Sequence, residues 1–143
     1  MPSFSNGDPT DPPRVSILRE GPYLIASVHT ALEDAHLSRL QHDLIERLRR
    51  DRARGVIIDV AAMDVVDSFS SRTLRNLAAM AQLRGAQTVI VGISPELAFT
   101  MVRLSMTLQP VHTALDLDEG IALLDQLTGR RGGIDSSTRR GRS

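Results

Sequence analysis

Gly55-Val56-Ile57-Ile58-Asp59-Val60, followed shortly by Val65-Val66-Asp67-Ser68-Phe69-Ser70-Ser71, is the stretch on which the fold turns. Its first part is apolar almost without a break. A half-exposed strand alternates polar and apolar side chains, whereas a strand covered on both faces does not, so this run predicts a buried strand. Its second part leads into Leu74, Leu77, Ala78 and Ala81. That i, i+3, i+4, i+7 stripe predicts a helix from Ser68 to about Leu83. A serine at such a junction sits at the positive end of the helix with its hydroxyl near solvent. The position suits a helix cap, and it also suits phosphorylation, because a helix N-terminus tolerates phosphate.

Upstream, Val15-Ser16-Ile17-Leu18-Arg19 alternates weakly, Gly21-Pro22 makes a turn, and Tyr23 to Val28 reads as a second strand, so the domain opens with a hairpin. Thr30 and Glu33 have capping-box spacing ahead of a helix that carries Leu37, Leu40, Leu44, Ile45 and Leu48 on one face. Gly55 is a natural stop for it. Downstream, Gly85 ends the second helix and Thr88 to Ile93 is the next buried strand. Ser94-Pro95 is a cap followed by proline at the first helical position, before Leu97, Met101, Leu104 and Leu108. Residues 110–113 read as a short edge strand. A last helix, from near Leu115 to Leu127, has Leu117, Ile121 and Leu124 inward and Asp116, Asp118 and Glu119 in its first turn. The order β-β-α-β-α-β-α-β-α predicts an α/β domain: a mixed, mostly parallel sheet with helices packed on it.

A chain of 143 residues is one domain by length. Trp and Cys are absent and Tyr and Phe number four, so the core is aliphatic and disulfides, thiolate metal sites and thiol nucleophiles are excluded. All 17 basic residues are Arg, which excludes a Schiff-base or P-loop lysine. Residues 1–13 hold four of the seven prolines and read as a disordered leader. Residues 129–143 are rich in Gly, Ser and Arg and read as a flexible tail with a net charge of +4, from five Arg and Asp135. Between them, residues 14–128 carry 12 Arg and 14 Asp or Glu, a net of −2, so the folded part is not a basic nucleic-acid platform. No apolar run approaches membrane-spanning length and no signal-peptide pattern opens the chain, so a cytoplasmic location is expected.

His29, His36, His42 and His112 are scattered and read as surface or half-buried side chains, not metal ligands. Asp59, Asp64 and Asp67 lie in the loop region after a parallel strand, where carboxylates can hold Mg²⁺, but turn and cap chemistry explains them more simply. There is no Gly-x-Ser-x-Gly elbow around Ser68, Ser70 or Ser71, no Gly-x-Gly-x-x-Gly and no P-loop, so no catalytic residue and no cofactor is expected. The Arg-rich tail has the composition to touch RNA or anionic lipid, though most such tails are solvated ends. On spacing alone Ser68 reads as a plain helix cap before it reads as a regulated site.

The segment Asp59 to Leu124 resembles the STAS family of anti-sigma-factor antagonists, small domains of a mixed sheet with helices on one face. Five motifs carry the resemblance in order: Gly55-Val56-Ile57-Ile58-Asp59, Val66-Asp67-Ser68-Phe69, Met80-Ala81-Gln82-Leu83-Arg84-Gly85-Ala86, Val91-Gly92-Ile93-Ser94-Pro95, and Thr113 to Gly120. Looser similarity runs back to Val15. Sporulation-type antagonists usually read Asp-Ser-Ser-Gly-Leu at the loop. Phe69 after the serine points instead to the stressosome branch, without the long N-terminal sensor domain of its co-antagonist paralogues.

The resemblance implies a non-enzymatic scaffold and phospho-switch in a stress-response or related pathway. Ser68 would be the phosphorylated residue, and Asp59, Asp64, Asp67, Ser68 and Phe69 the partner-binding loop. The partners would be a separate switch serine/threonine kinase, held until Ser68 is phosphorylated, and sensor-bearing STAS paralogues, with self-association in a large assembly. No nucleic acid or membrane partner is expected. The alternatives are a direct antagonist binding an anti-sigma kinase, a nucleotide- or lipid-binding STAS module, and a Mg²⁺-dependent phosphotransfer enzyme built on the aspartates.

Overall fold

The computed structural model describes residues 14–29, 32–63, 67–103 and 111–129. The elements follow the expected order: β1 (Val15–Glu20), β2 (Tyr23–Val28), α1 (Asp34–Asp51), β3 (Gly55–Asp59), α2 (Ser68–Leu83), β4 (Gln87–Val91), α3 (Pro95–Arg103), β5 (His112–Ala114) and α4 (Leu117–Thr128). The sheet order is β1-β2-β3-β4-β5. β1 pairs antiparallel with β2, and the remaining pairs are parallel.

That order places the helices. Successive parallel strands are added in one direction, and right-handed crossovers then put every connecting helix on the same face. Leu40, Leu44 and Leu48 of α1, Leu74 and Leu77 of α2 and Leu97 of α3 accordingly pack with Leu24, Val56, Ile58 and Ile90. α4 follows the last strand, is bound by no crossover, and covers the other face: Leu124 packs with Tyr23, Ile25, Ile57, Val89 and Val91. The helices therefore lie on both faces, not on one as the family resemblance implied. The reason was already in the sequence, since Gly55–Asp59 and Gln87–Val91 are apolar on both faces and each face must be covered.

Several local expectations shift. Gly55 does not stop α1. Arg52 does, in the left-handed conformation with φ 52° and its N–H on the Leu48 carbonyl. Gly55 instead opens β3, where a Cβ would lie 2.9 Å from Leu124 Cδ2 and 3.1 Å from Tyr23 Cδ1, so glycine there lets α4 approach the sheet. The capping box lies three residues later than expected: Glu33 is the N-cap and its N–H donates to Nδ1 of His36 at 3.1 Å. Thr30 lies outside the described residues, as do Leu104, Leu108 and Pro110. β4 ends at Val91 because Gly92 turns the chain with φ 85°. Leu117 is exposed rather than inward; Gly120 takes the inward place, against Val91 Cγ1. Two helix ends stand as expected. Ser94 Oγ accepts the Leu97 N–H at 3.0 Å, and Gly85 follows α2 with φ 84°. Gly129, the first residue of the expected tail, closes α4 with φ 78°.

Candidate functional site

The loops after β3, β4 and β5 gather at the carboxyl edge of the parallel strands, the edge where ligands and partners of open α/β sheets usually bind. They hold one another in place. Val60 N–H donates to the Val91 carbonyl at 3.0 Å and Gly92 N–H to the Leu115 carbonyl at 3.2 Å. Asp59 is half-buried, and its Oδ1 accepts the Ala61 N–H at 2.9 Å. The same oxygen would lie 2.8 Å from a Cβ on Gly92, so glycine is what lets the two loops meet. Asp59 thus shapes the β3 loop through a turn bond.

Asp67 and Ser68 divide the helix start between them. Asp67 is the N-cap of α2, with extended backbone. Its Oδ1 accepts both the Ser70 N–H and the Ser70 hydroxyl, each at 2.8 Å. The Ser70 N–H, then the Ser70 hydroxyl, hold the Asp67 carboxyl below the usual carboxylate range. Ser68 is therefore not the cap. It is the first helical residue, exposed, and among the described residues its hydroxyl has no hydrogen-bond partner. A cap serine has its oxygen turned back to the helix, whereas this oxygen is available. Phe69 is half-buried, and Ser70 and Ser71 are buried at 5% and 4% exposure. Asp64 lies outside the described residues, with Val65 and Val66.

The structure thus places Asp67, Ser68 and Phe69 in one turn, and Asp59 on the strand end that leads to it. Asp59 and Asp67 both spend an oxygen on backbone N–H groups. Among the described residues no group of three or more His, Asp or Glu side chains gathers as a metal would need. No described helix is long and apolar enough to cross a membrane. Sequence reasoning passed over Ser70, whose two donors fix Asp67. The signal was present, since an N-cap Asp is normally satisfied by the residue three later. It also passed over Gly92 and Leu115, which pair across the loops.

This fold and helix start define a known class. Residues 15–120 match the STAS domain family, and the chain belongs to it. Within the family its similarity runs to stressosome proteins. It is 28% identical over 100 residues to RsbRA of Bacillus subtilis (strain 168), named as an RsbT co-antagonist protein; that match covers 70% of this chain and spans about a third (36%) of the relative. A serine-to-glutamate variant of RsbS from Moorella thermoacetica superposes with a TM-score of 0.69 at 29% identity, over 82% of this chain and 99% of that one. A chain from a structure of the stressosome, described as a signal integration and transduction hub, superposes with a TM-score of 0.61 at 29% identity, over 78% of this chain and 97% of that one.

Proposed function

We propose that the chain is a non-enzymatic, cytoplasmic scaffold of a stressosome-type assembly and a phospho-switch whose acceptor is Ser68. In this reading it assembles with sensor-bearing STAS paralogues of the RsbR kind and holds a switch serine/threonine kinase of the RsbT kind, and phosphorylation of Ser68 releases the kinase. The observation that carries it is the free hydroxyl of Ser68: exposed, at the first position of α2, with the cap made by Asp67 instead. An incoming phosphoryl group meets no bond it must break. The phosphate would add roughly 1.5 to 2 negative charges beside the Asp67 carboxylate and change the docking surface without removing a structural contact. The RsbT and RsbR designations come from the name of the curated relative, and the kinase nature of the partner is what the family resemblance implies.

The test is phosphosite mapping after incubation with the cognate kinase, together with kinase capture by variants. Phosphate is expected on Ser68. Ser68→Ala should hold the kinase constitutively, and Ser68→Asp should keep its melting temperature while binding the kinase at least about tenfold more weakly, a change of about 1.4 kcal/mol. Equal labelling of parent and Ser68→Ala would remove Ser68 as the acceptor. Equal capture by both variants, repeated with the phosphorylated protein, would remove the switch.

A further inference from the structure

The two ends of the sheet carry opposite charge around exposed leucines. At the carboxyl end, Asp59, Asp67, Glu96, Asp116, Asp118 and Glu119 lie in or beside the strand-to-helix loops. The chain has no arginine from 55 to 71, from 85 to 102 or from 111 to 129; Arg14, whose carbonyl takes the His29 N–H, and Arg72, in the second turn of α2, flank this end and leave it a net negative charge. Leu115 projects from this end with 71% of its surface exposed, and Leu117 beside it is also exposed.

The opposite end is built from the β1–β2 turn, the α1–β3 and α2–β4 connections and the end of α4. Backbone bonds join these pieces: Arg54 N–H to Pro22 and Gln87 N–H to Arg54. Arg54 also donates to the Thr128 carbonyl. Arg19, Arg50, Arg52, Arg54 and Arg84 are all exposed there. Three carboxylates lie at the same end: Asp51, paired with Arg47 and Arg50, Asp125, which accepts from the Tyr23 hydroxyl, and exposed Glu20 beside Arg19; the arginines outnumber them and leave a positive excess. Leu83, the last residue of α2, stands among the arginines with 88% of its surface exposed. Arg52 holds its left-handed backbone conformation in a place where glycine would be more stable, so the guanidinium is kept there at a conformational cost.

We infer that the carboxyl end of one copy docks on the arginine end of a second copy, Leu115 packing near Leu83 within rims of opposite charge. An apolar anchor inside a complementary polar rim is the usual anatomy of a specific interface. The two surfaces differ and lie at opposite ends of the strands, so the contact is heterologous and repeats from copy to copy. Leu115 follows β5, two strands from β3 and thus roughly 10 Å along the edge from the strand that leads to Ser68, so the self-contact and a partner at Ser68 share one edge of the sheet. This deepens the assembly part of the function proposed above, and its test requires neither kinase nor paralogue.

The experiment is sedimentation velocity on the purified full chain over a range of concentrations, in low salt and at about 1 M NaCl, where the Debye length falls to roughly 3 Å. Two variants are added: Leu83→Ser with Arg84→Ser at one end, and Leu115→Ser with Asp118→Ser at the other. The parent should form species that grow with concentration and dissolve in salt. Each variant alone should be monomeric, and the two mixed should form a one-to-one dimer and nothing larger, because each keeps one competent end. If a serine variant melts early, Arg52→Gly and Asp118→Asn replace it, and each should weaken association at least several-fold. A parent that stays monomeric, association indifferent to the variants, or a mixture that fails to pair would overturn the inference. If the chain still enters a mixed particle with a paralogue after failing these arms, the scaffold reading stands and this contact falls.

Discussion

Replacing Asp67 by alanine removes the acceptor on which the start of α2 depends. Its Oδ1 takes two hydrogen bonds from Ser70, and Ser70 is only 5% exposed, so water does not readily replace it. Loss of an N-cap side chain costs typically about 1 kcal/mol. Stranding a buried donor adds to that, and about 2 kcal/mol in total is expected. For a domain of this size that lowers Tm by roughly 8 °C. The pH dependence has a definite sign. The Ser70 bonds lower the Asp67 pKa in the folded state, so their contribution is complete above the unfolded carboxylate value of about 3.9 and is lost as pH falls through the folded value. The gap between parent and Asp67→Ala should therefore be widest at neutral pH and shrink below about pH 4. Asp67→Asn keeps an acceptor oxygen and should recover most of the loss at neutral pH. Urea unfolding at several pH values reads all three. A gap below about 0.5 kcal/mol at pH 7, or one that does not change down to pH 3, would refute the cap as described.

Three further outcomes are expected. Thr88→Val should raise stability by about 1 kcal/mol or more, because the Thr88 hydroxyl is buried without a hydrogen-bond partner among the described residues and valine keeps its shape; an unchanged or lower urea midpoint would contradict this. Gly92→Ala should lower Tm clearly, since it forces a side chain onto a φ of 85° and a Cβ to 2.8 Å from Asp59 Oδ1; a thermal melt matching the parent would show that the loops are not in close contact. Removing residues 1–13 and 130–143, which offer few apolar side chains to bury, should leave the melting temperature unchanged, and a lower one would show that either segment supports the domain.

Element order and type were legible because period-2 and period-3.6 patterns are strong in this chain and the glycines after α2 and α4 stand where helices stop. What was not legible depended on distance and handedness. That both faces of the sheet need cover was legible in strands apolar on both sides, but that α4 is the helix that covers the second face followed from crossover chirality, which the pattern of α4 itself does not show. Leu117 looked inward because it continued the stripe toward Ile121 and Leu124. The inward contact is Gly120, whose lack of a side chain is what brings α4 close to Val91. Arg52 concealed the end of α1, since the left-handed position usually belongs to glycine and Gly55 stood three residues away. At the site, the Asp-Ser step was plain, but which of the two residues capped the helix required the Ser70 bonds.

That division between Asp67 and Ser68 bears directly on how a phosphate would act here. Were Ser68 itself the cap, modifying it would break the helix start, and the switch would be a folding event. With Asp67 as the cap, a phosphate on Ser68 costs the fold nothing in lost bonds. It gains roughly 0.3–1 kcal/mol from the positive end of the helix. The same phosphate stands next to a carboxylate that Ser70 keeps ionised, so the two together present about three negative charges at the exposed turn. An acidic or apolar partner surface meets that charge in full, and a tenfold loss of affinity needs only about 1.4 kcal/mol. In the proposed switch, the dipole gain offsets repulsion from the Asp67 carboxylate at this exposed turn, and the interface would yield before the fold does.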